Sequence, residues 1–93
     1  MAFFPEKEKR PFVSVIVPVY NDERLIGGLL DSLLSQDYPK ESFEIIVVDN
    51  NSNDTTCDVV RSYPVALLHE NEVQSSYAAR NLGVNAAKGD VIA

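Results

Sequence analysis

Ninety-three residues suffice for one small domain or for part of a larger one. Apolar residues make up 45% of the chain and charged residues 24%, which excludes a disordered polypeptide. Fourteen acidic against eight basic side chains give a net charge of −6, the wrong sign for a nucleic-acid binder that must gather cations against phosphates.

Cys57 is the one cysteine, so neither an intrachain disulfide nor a cysteine-rich zinc site can form. The longest apolar runs, about six residues, fall far short of the ~20 that cross a bilayer. The opening MAFFPEKEKRP also lacks the apolar stretch of a signal peptide. A cytoplasmic location is therefore the default expectation, with membrane association of a longer parent protein left open.

The charged, proline-bounded start predicts a mobile tail over 1–11 ahead of a domain over 12–93. Residues 12–17 are β-branched and nearly all apolar, the pattern of a strand buried on both faces of a parallel sheet, ended by Pro18. Leu25, Ile26, Leu29, Leu30, Leu33 and Leu34 then fall on one helical face, with Asn21 or Asp22 as N-cap. Gly27 and Gly28 inside that helix cost about 1–2 kcal/mol in propensity, which suggests close packing of the helix on the sheet.

After a turn over 37–41, residues 43–48 form a second buried strand running into the polar block 49–54. A short helix over 55–63 carries Val59, Val60 and Tyr63 inward and ends at Pro64; residues 65–69 make a third strand. A helix over 76–88 has Ala78, Leu82 and Ala86 on one stripe and Gly89 as its C-cap. Val91, Ile92 and Ala93 open a fourth strand, so the sequence reads as a piece of a longer protein. Alternating strands and helices with right-handed crossovers predict an α/β fold: an open parallel sheet with helices on both faces.

In such sheets ligands bind beyond the carboxyl ends of the strands. There the chain carries two polar blocks, 18–23 and 49–54. Turns and caps account for such residues singly; two blocks at adjacent strand ends point to a site. The first strand–helix turn has no Gly-x-Gly-x-x-Gly, and no Gly-Lys-Ser/Thr phosphate loop occurs. Asp49, Asn51 and Asn53 begin like a calcium loop, but Asp54 and Val60 stand where glycine and the bidentate glutamate belong. A receiver domain would accept Asp22 and Glu23 as its acidic pair, yet His69, Glu70 and Asn71 supply no phospho-acceptor aspartate. His69 reads as a strand-end residue rather than a catalytic base.

Four runs fall in a recognisable order: VSVIVPVYN over 13–21, EIIVVDNNSNDTT over 44–56, ARNLG over 79–83 and AKGDVIA over 87–93. Together they make the chain resemble the amino-terminal half of the family-2 glycosyltransferases, which have the Rossmann-like GT-A fold. The resemblance implies a nucleotide-diphospho-sugar, most often UDP-linked, as partner. Pro18 and Tyr20 would line the base pocket, the tyrosine ring stacking on uracil for about 1–3 kcal/mol. Asp49 would accept from the uracil imide N–H, and Arg80 would reach the base or the pyrophosphate. Asn21 and Glu23 are weaker members of this pocket, and Glu23 could equally pair with Arg80. Asn81 and Gly83 would position the Arg80 helix, and Asp90 would serve in a turn.

Family members continue into an Asp-x-Asp motif that holds Mn2+ or Mg2+ against the diphosphate, and later into a carboxylate general base. Neither motif lies in residues 1–93. The resemblance thus implies a nucleoside-binding half with no catalytic or metal residue of its own, unable to transfer sugar alone. Its parent would glycosylate a saccharide or lipid acceptor in envelope polysaccharide synthesis. The exposed fourth strand would favour a homodimer. A non-catalytic nucleotide-sugar-binding module is the alternative.

Overall fold

A computed structural model describes residues 11–93. The elements run β1 (Val13–Val19), α1 (Ile26–Leu34), a 3-10 turn (Lys40–Ser42), β2 (Phe43–Asp49), α2 (Thr56–Arg61), β3 (Ala66–His69), α3 (Ser76–Ala86) and β4 (Val91–Ile92). The four strands form one all-parallel sheet in the order β3-β2-β1-β4. The mobile tail expected over 1–11 lies outside the described residues except for Pro11, whose carbonyl accepts from the Tyr38 hydroxyl.

β1 and β2 pair from Val13↔Phe43 to Val19↔Asp49, and the period-2 alternation of their side chains divides the core into two layers. Val17, Val19, Ile45 and Val47 face Ile26 and Leu30 of α1 and Val60 of α2. Ile16, Ile46 and Val48 face Ala79 of α3. Helices therefore cover both faces, as the near-continuous apolar strands predict.

Pro18 does not end β1; it pairs with Val48 inside the strand. The reason lies in which way its neighbours bond. Val19 accepts from Asn50 N toward β2, whereas Ile16 N donates to Ala93 O toward β4. Pro18 shares the Ile16 side, facing away from β2, so its missing N–H removes no bond of the β1–β2 ladder.

Neither Asn21 nor Asp22 caps α1 with its side chain. The helix follows a turn in which the Asp22 carbonyl accepts from Leu25 N and Ile26 N. Nor do Gly27 and Gly28 pack on the sheet. A Cβ on Gly27 would stand 3.3 Å from the Tyr63 hydroxyl beyond α2, and that hydroxyl donates to the Gly27 carbonyl at 3.1 Å. A Cβ on Gly28 would meet nothing within 4 Å.

The third helix is shorter than predicted and ends at Ala86. Its buried positions are Ala79 and Gly83, while Ala86 is exposed. Gly83 keeps the helix tight on the sheet, because a Cβ there would lie 2.5 Å from Ile16 Cγ2. Gly89 is not a C-cap. It lies against β1, where its N–H donates to Ser14 Oγ and a Cβ would meet Ser14 N at 2.7 Å and Phe12 O at 2.8 Å.

The chain steps from β1 through β2 to β3, then α3 returns it across the sheet to β4 on the far side of β1. The order reverses between β1 and β4, making the carboxyl ends of these two strands the topological switch point.

Candidate functional site

The loops that follow β1 and β2 are bonded to each other. Asn21 N donates to Ser52 Oγ at 2.8 Å, and Asn53 N returns a bond to Asn21 Oδ1 at 2.8 Å. Asp22 N donates to Thr56 Oγ1, and Glu23 Oε1 accepts from both N and Oγ1 of Thr55, at 3.0 and 2.6 Å. Asn21 and Asn51 sit at φ values of 50° and 69°, a left-handed region that asparagine tolerates better than most side chains. Thr55 hydrogen bonds hold the Glu23 carboxyl below its ordinary range, and Thr56 does the same for Asp54. Both side chains are thus held as carboxylates, the form that accepts these hydrogen bonds and latches the two loops together.

Asn50 ties in the third loop. It is buried, its Nδ2 donates to the carbonyls of Glu70 and Val73, and its own carbonyl accepts from Gln74 Nε2 at 2.7 Å. Sequence reading passed over Asn50, Gln74 and Ser76. Extending the strand alternation past Asp49 would have drawn attention to Asn50, because it turns Asn50 to the α3 face.

The predicted site residues fall into three groups. Pro18 and Tyr20 line a small crevice with Val19, Asn50 and Ser76, and the Tyr20 ring is 48% exposed. Arg80 is exposed on α3, one helical turn after Ser76. Asn21 and Glu23 line a separate depression with Asp22, Arg24, Leu25 and Asp54. No Glu23–Arg80 pair forms: the ion pair among the described residues is Arg61–Asp58, and His69 stands near Asp49. Glu23 is bound to the start of α2, whereas Arg80 is carried by α3 on the opposite face.

Asp49 forms the third group. It is 3% exposed at the end of β2, and its Oδ2 accepts from Ser52 N at 3.0 Å. His69 Nδ1 lies 3.8 Å from the same oxygen. Oδ1 is buried and has no hydrogen-bond partner among the described residues. Cys57 stands beside it, its thiol pushed up from the ordinary range first by burial and then by the Asp49 carboxylate.

The divalent metal implied by the resemblance wants hard oxygen ligands. Among the described residues the one group of three candidate ligands is Asp49, Cys57 and His69, a set mixing oxygen, sulfur and nitrogen. That set does not suit Mg2+ or Mn2+ on a diphosphate.

The profile of glycosyl transferase family 2 matches residues 14–93. The chain belongs to that family. It is 46% identical over 88 residues to glycosyltransferase AglE of Haloferax volcanii, covering 89% of this chain and 29% of that protein. Among solved structures, the mannosyltransferase PcManGT of Pyrobaculum calidifontis, in complex with GDP-Man and Mn2+, superposes with a TM-score of 0.83 at 38% identity. The match covers 89% of this chain and 26% of PcManGT. TarS of S. aureus in complex with UDP-GlcNAc gives 0.75 at 39% identity over 86% of this chain and 24% of TarS. These neighbours are GT-A glycosyltransferases, and the four-stranded sheet described above is the corresponding part of that fold. The chain spans less than a third of the relatives it matches. No helix among the described residues is long and apolar enough to cross a membrane.

Proposed function

We propose that this chain is the nucleoside-recognition part of a glycosyltransferase that moves a sugar from a nucleotide-diphospho-sugar, UDP-linked, to a saccharide or lipid acceptor. The crevice lined by Pro18, Val19, Tyr20, Asn50 and Ser76 at the carboxyl end of β1 carries the reading. Asp49 lies at the adjacent strand end, 3% exposed, and would have to turn its buried Oδ1 outward to accept from the imide N–H of a base. The half-exposed Tyr20 ring offers a stacking face, and Arg80 adds an unpaired cation on α3 among the described residues. Family membership and neighbours solved with UDP-GlcNAc and GDP-Man support a nucleotide-sugar partner.

Within this reading the chain binds nucleoside diphosphate and leaves sugar transfer to residues beyond it, which also hold the Mn2+ or Mg2+. Calorimetric titration with UDP, with and without Mn2+ and with GDP as control, tests it. Weak UDP binding indifferent to Mn2+ is expected. A folded sample that binds no UDP overturns the assignment of Tyr20, Asp49 and Arg80, and UDP-sugar turnover by the chain alone overturns its inactivity.

A further inference from the structure

We propose that Asp49, Cys57 and His69 form a binding site for a thiophilic divalent cation, zinc above all. One donor atom from each side chain lies within 4.8 Å of the others. The three come from the end of β2, the first turn of α2 and the end of β3, and Asp49 and His69 are register partners in the sheet. Carboxylate, thiol and imidazole together form a set that zinc accepts and that magnesium, calcium and manganese do not favour. A cysteine count that rules out a cysteine-rich site leaves such a mixed site open.

A second observation points to a ligand. Asp49 is 3% exposed, belongs to the cluster, and keeps its Oδ1 buried with no partner among the described residues. A cation held by the Asp49 carboxylate would offset the cost of that unpartnered oxygen. Ligands about 2.0–2.3 Å from zinc at tetrahedral angles stand roughly 3.3–3.6 Å apart, so closing the cluster takes about an ångström of movement. The His69 side chain is 43% exposed, which gives it room to turn and admits a water as fourth ligand. A cation held there would pin the first turn of α2 to two strand ends. The proposal goes beyond the nucleotide reading; the two share Asp49 alone, and the cobalt spectrum tests the cluster without UDP.

Cobalt is the probe, added to the 93-residue chain in a reductant that does not bind metals. We expect about one equivalent of Co2+ bound with thiolate-to-cobalt charge-transfer absorption and the visible bands of four-coordinate cobalt. Zn2+ should bleach both, and a large excess of Mg2+ should leave them unchanged. Cys57→Ser should abolish the charge-transfer band. Loss of an outer-shell partner alone weakens metal sites about 10–100-fold, so His69→Gln, removing a ligand, should weaken Zn2+ binding by at least about tenfold. Circular dichroism checks that both variants fold, and a thermal midpoint raised by Zn2+ in the parent chain but not in Cys57→Ser is the independent readout. Absence of the band, meaning that the thiol serves only as a neighbour of the carboxylate, would overturn the site. So would its survival in Cys57→Ser, or displacement of cobalt by Mg2+.

Discussion

Glu23 in the loop after β1 accepts two hydrogen bonds from Thr55, the residue before α2, and so joins loops 32 residues apart in sequence. The bonds favour the ionised carboxylate, so the Glu23 pKa in the folded chain lies below its usual 4.5. A group whose folded pKa is depressed stabilises the fold fully above the unfolded value and loses that contribution as pH falls through the folded value. Asp54 follows the same sign through Thr56. Amide exchange at Thr55 and Thr56 should therefore quicken as pH drops below about 4.5, after correction for intrinsic rates. Glu23→Gln should quicken it at neutral pH; unchanged exchange in that variant would show that the loops hold without the latch.

The nucleotide reading depends on the Tyr20 ring. Tyr20→Ala should weaken UDP binding by roughly 5- to 150-fold, the equivalent of about 1–3 kcal/mol of stacking. Tyr20→Phe keeps the ring and should bind nearly as the parent does. Calorimetry on the two variants separates stacking from a hydroxyl contact. Because Tyr20 is half exposed, urea midpoints should barely change.

Glycines in this chain answer differently to the same substitution. Gly28→Ala meets open space and should stabilise α1 by about 0.5–1 kcal/mol. Gly83→Ala drives a methyl against the buried Ile16 and should cost about 1–3 kcal/mol from overpacking, only partly offset by helix propensity. Gly89→Ala meets the backbone of β1, which yields less readily than a side chain, and should be the most damaging of the three. Urea denaturation ranks them.

Ser14 is fully buried at the start of β1, where its hydroxyl donates to Glu44 Oε2 at 2.6 Å and accepts from Gly89 N at 2.8 Å. Lys88 N completes the cluster on the same Glu44 oxygen. Ser14→Ala leaves a charged acceptor and a backbone donor short of a partner, and should cost about 1.5–3 kcal/mol in urea denaturation. The Glu44 carboxyl should then titrate higher by NMR, since the Ser14 hydroxyl is the main influence holding it low.

Self-association is the remaining expectation. Val91 and Ile92 on the edge strand β4 are 44% and 37% exposed. Unsatisfied strand edges with apolar side chains recruit partners. Light scattering should report species larger than a monomer, and Ile92→Lys should shift the population toward monomer. A monodisperse monomer of the parent chain would count against an edge-mediated dimer.

The order of strands and helices was legible in residues alone, because near-continuous β-branched runs and i, i+4 leucine spacing arise from the periods of strand and helix. Asp49, Pro18 and Tyr20 stood out at strand ends for the same reason. What the sequence could not decide was partnership across the sheet. Pro18 looks like a terminator until the side of the strand facing away from β2 is known, and Gly89 looks like a cap until β1 is seen against it. Glu23 and Arg80 look like partners in one dimension, but a parallel crossover sends their elements to opposite faces. Cys57 and His69 gained meaning only when the fold placed them beside a buried carboxylate oxygen with no partner among the described residues. Local pattern determined the elements; contacts between residues far apart in sequence depend on the path of the chain through space, and that path belongs to the tertiary structure.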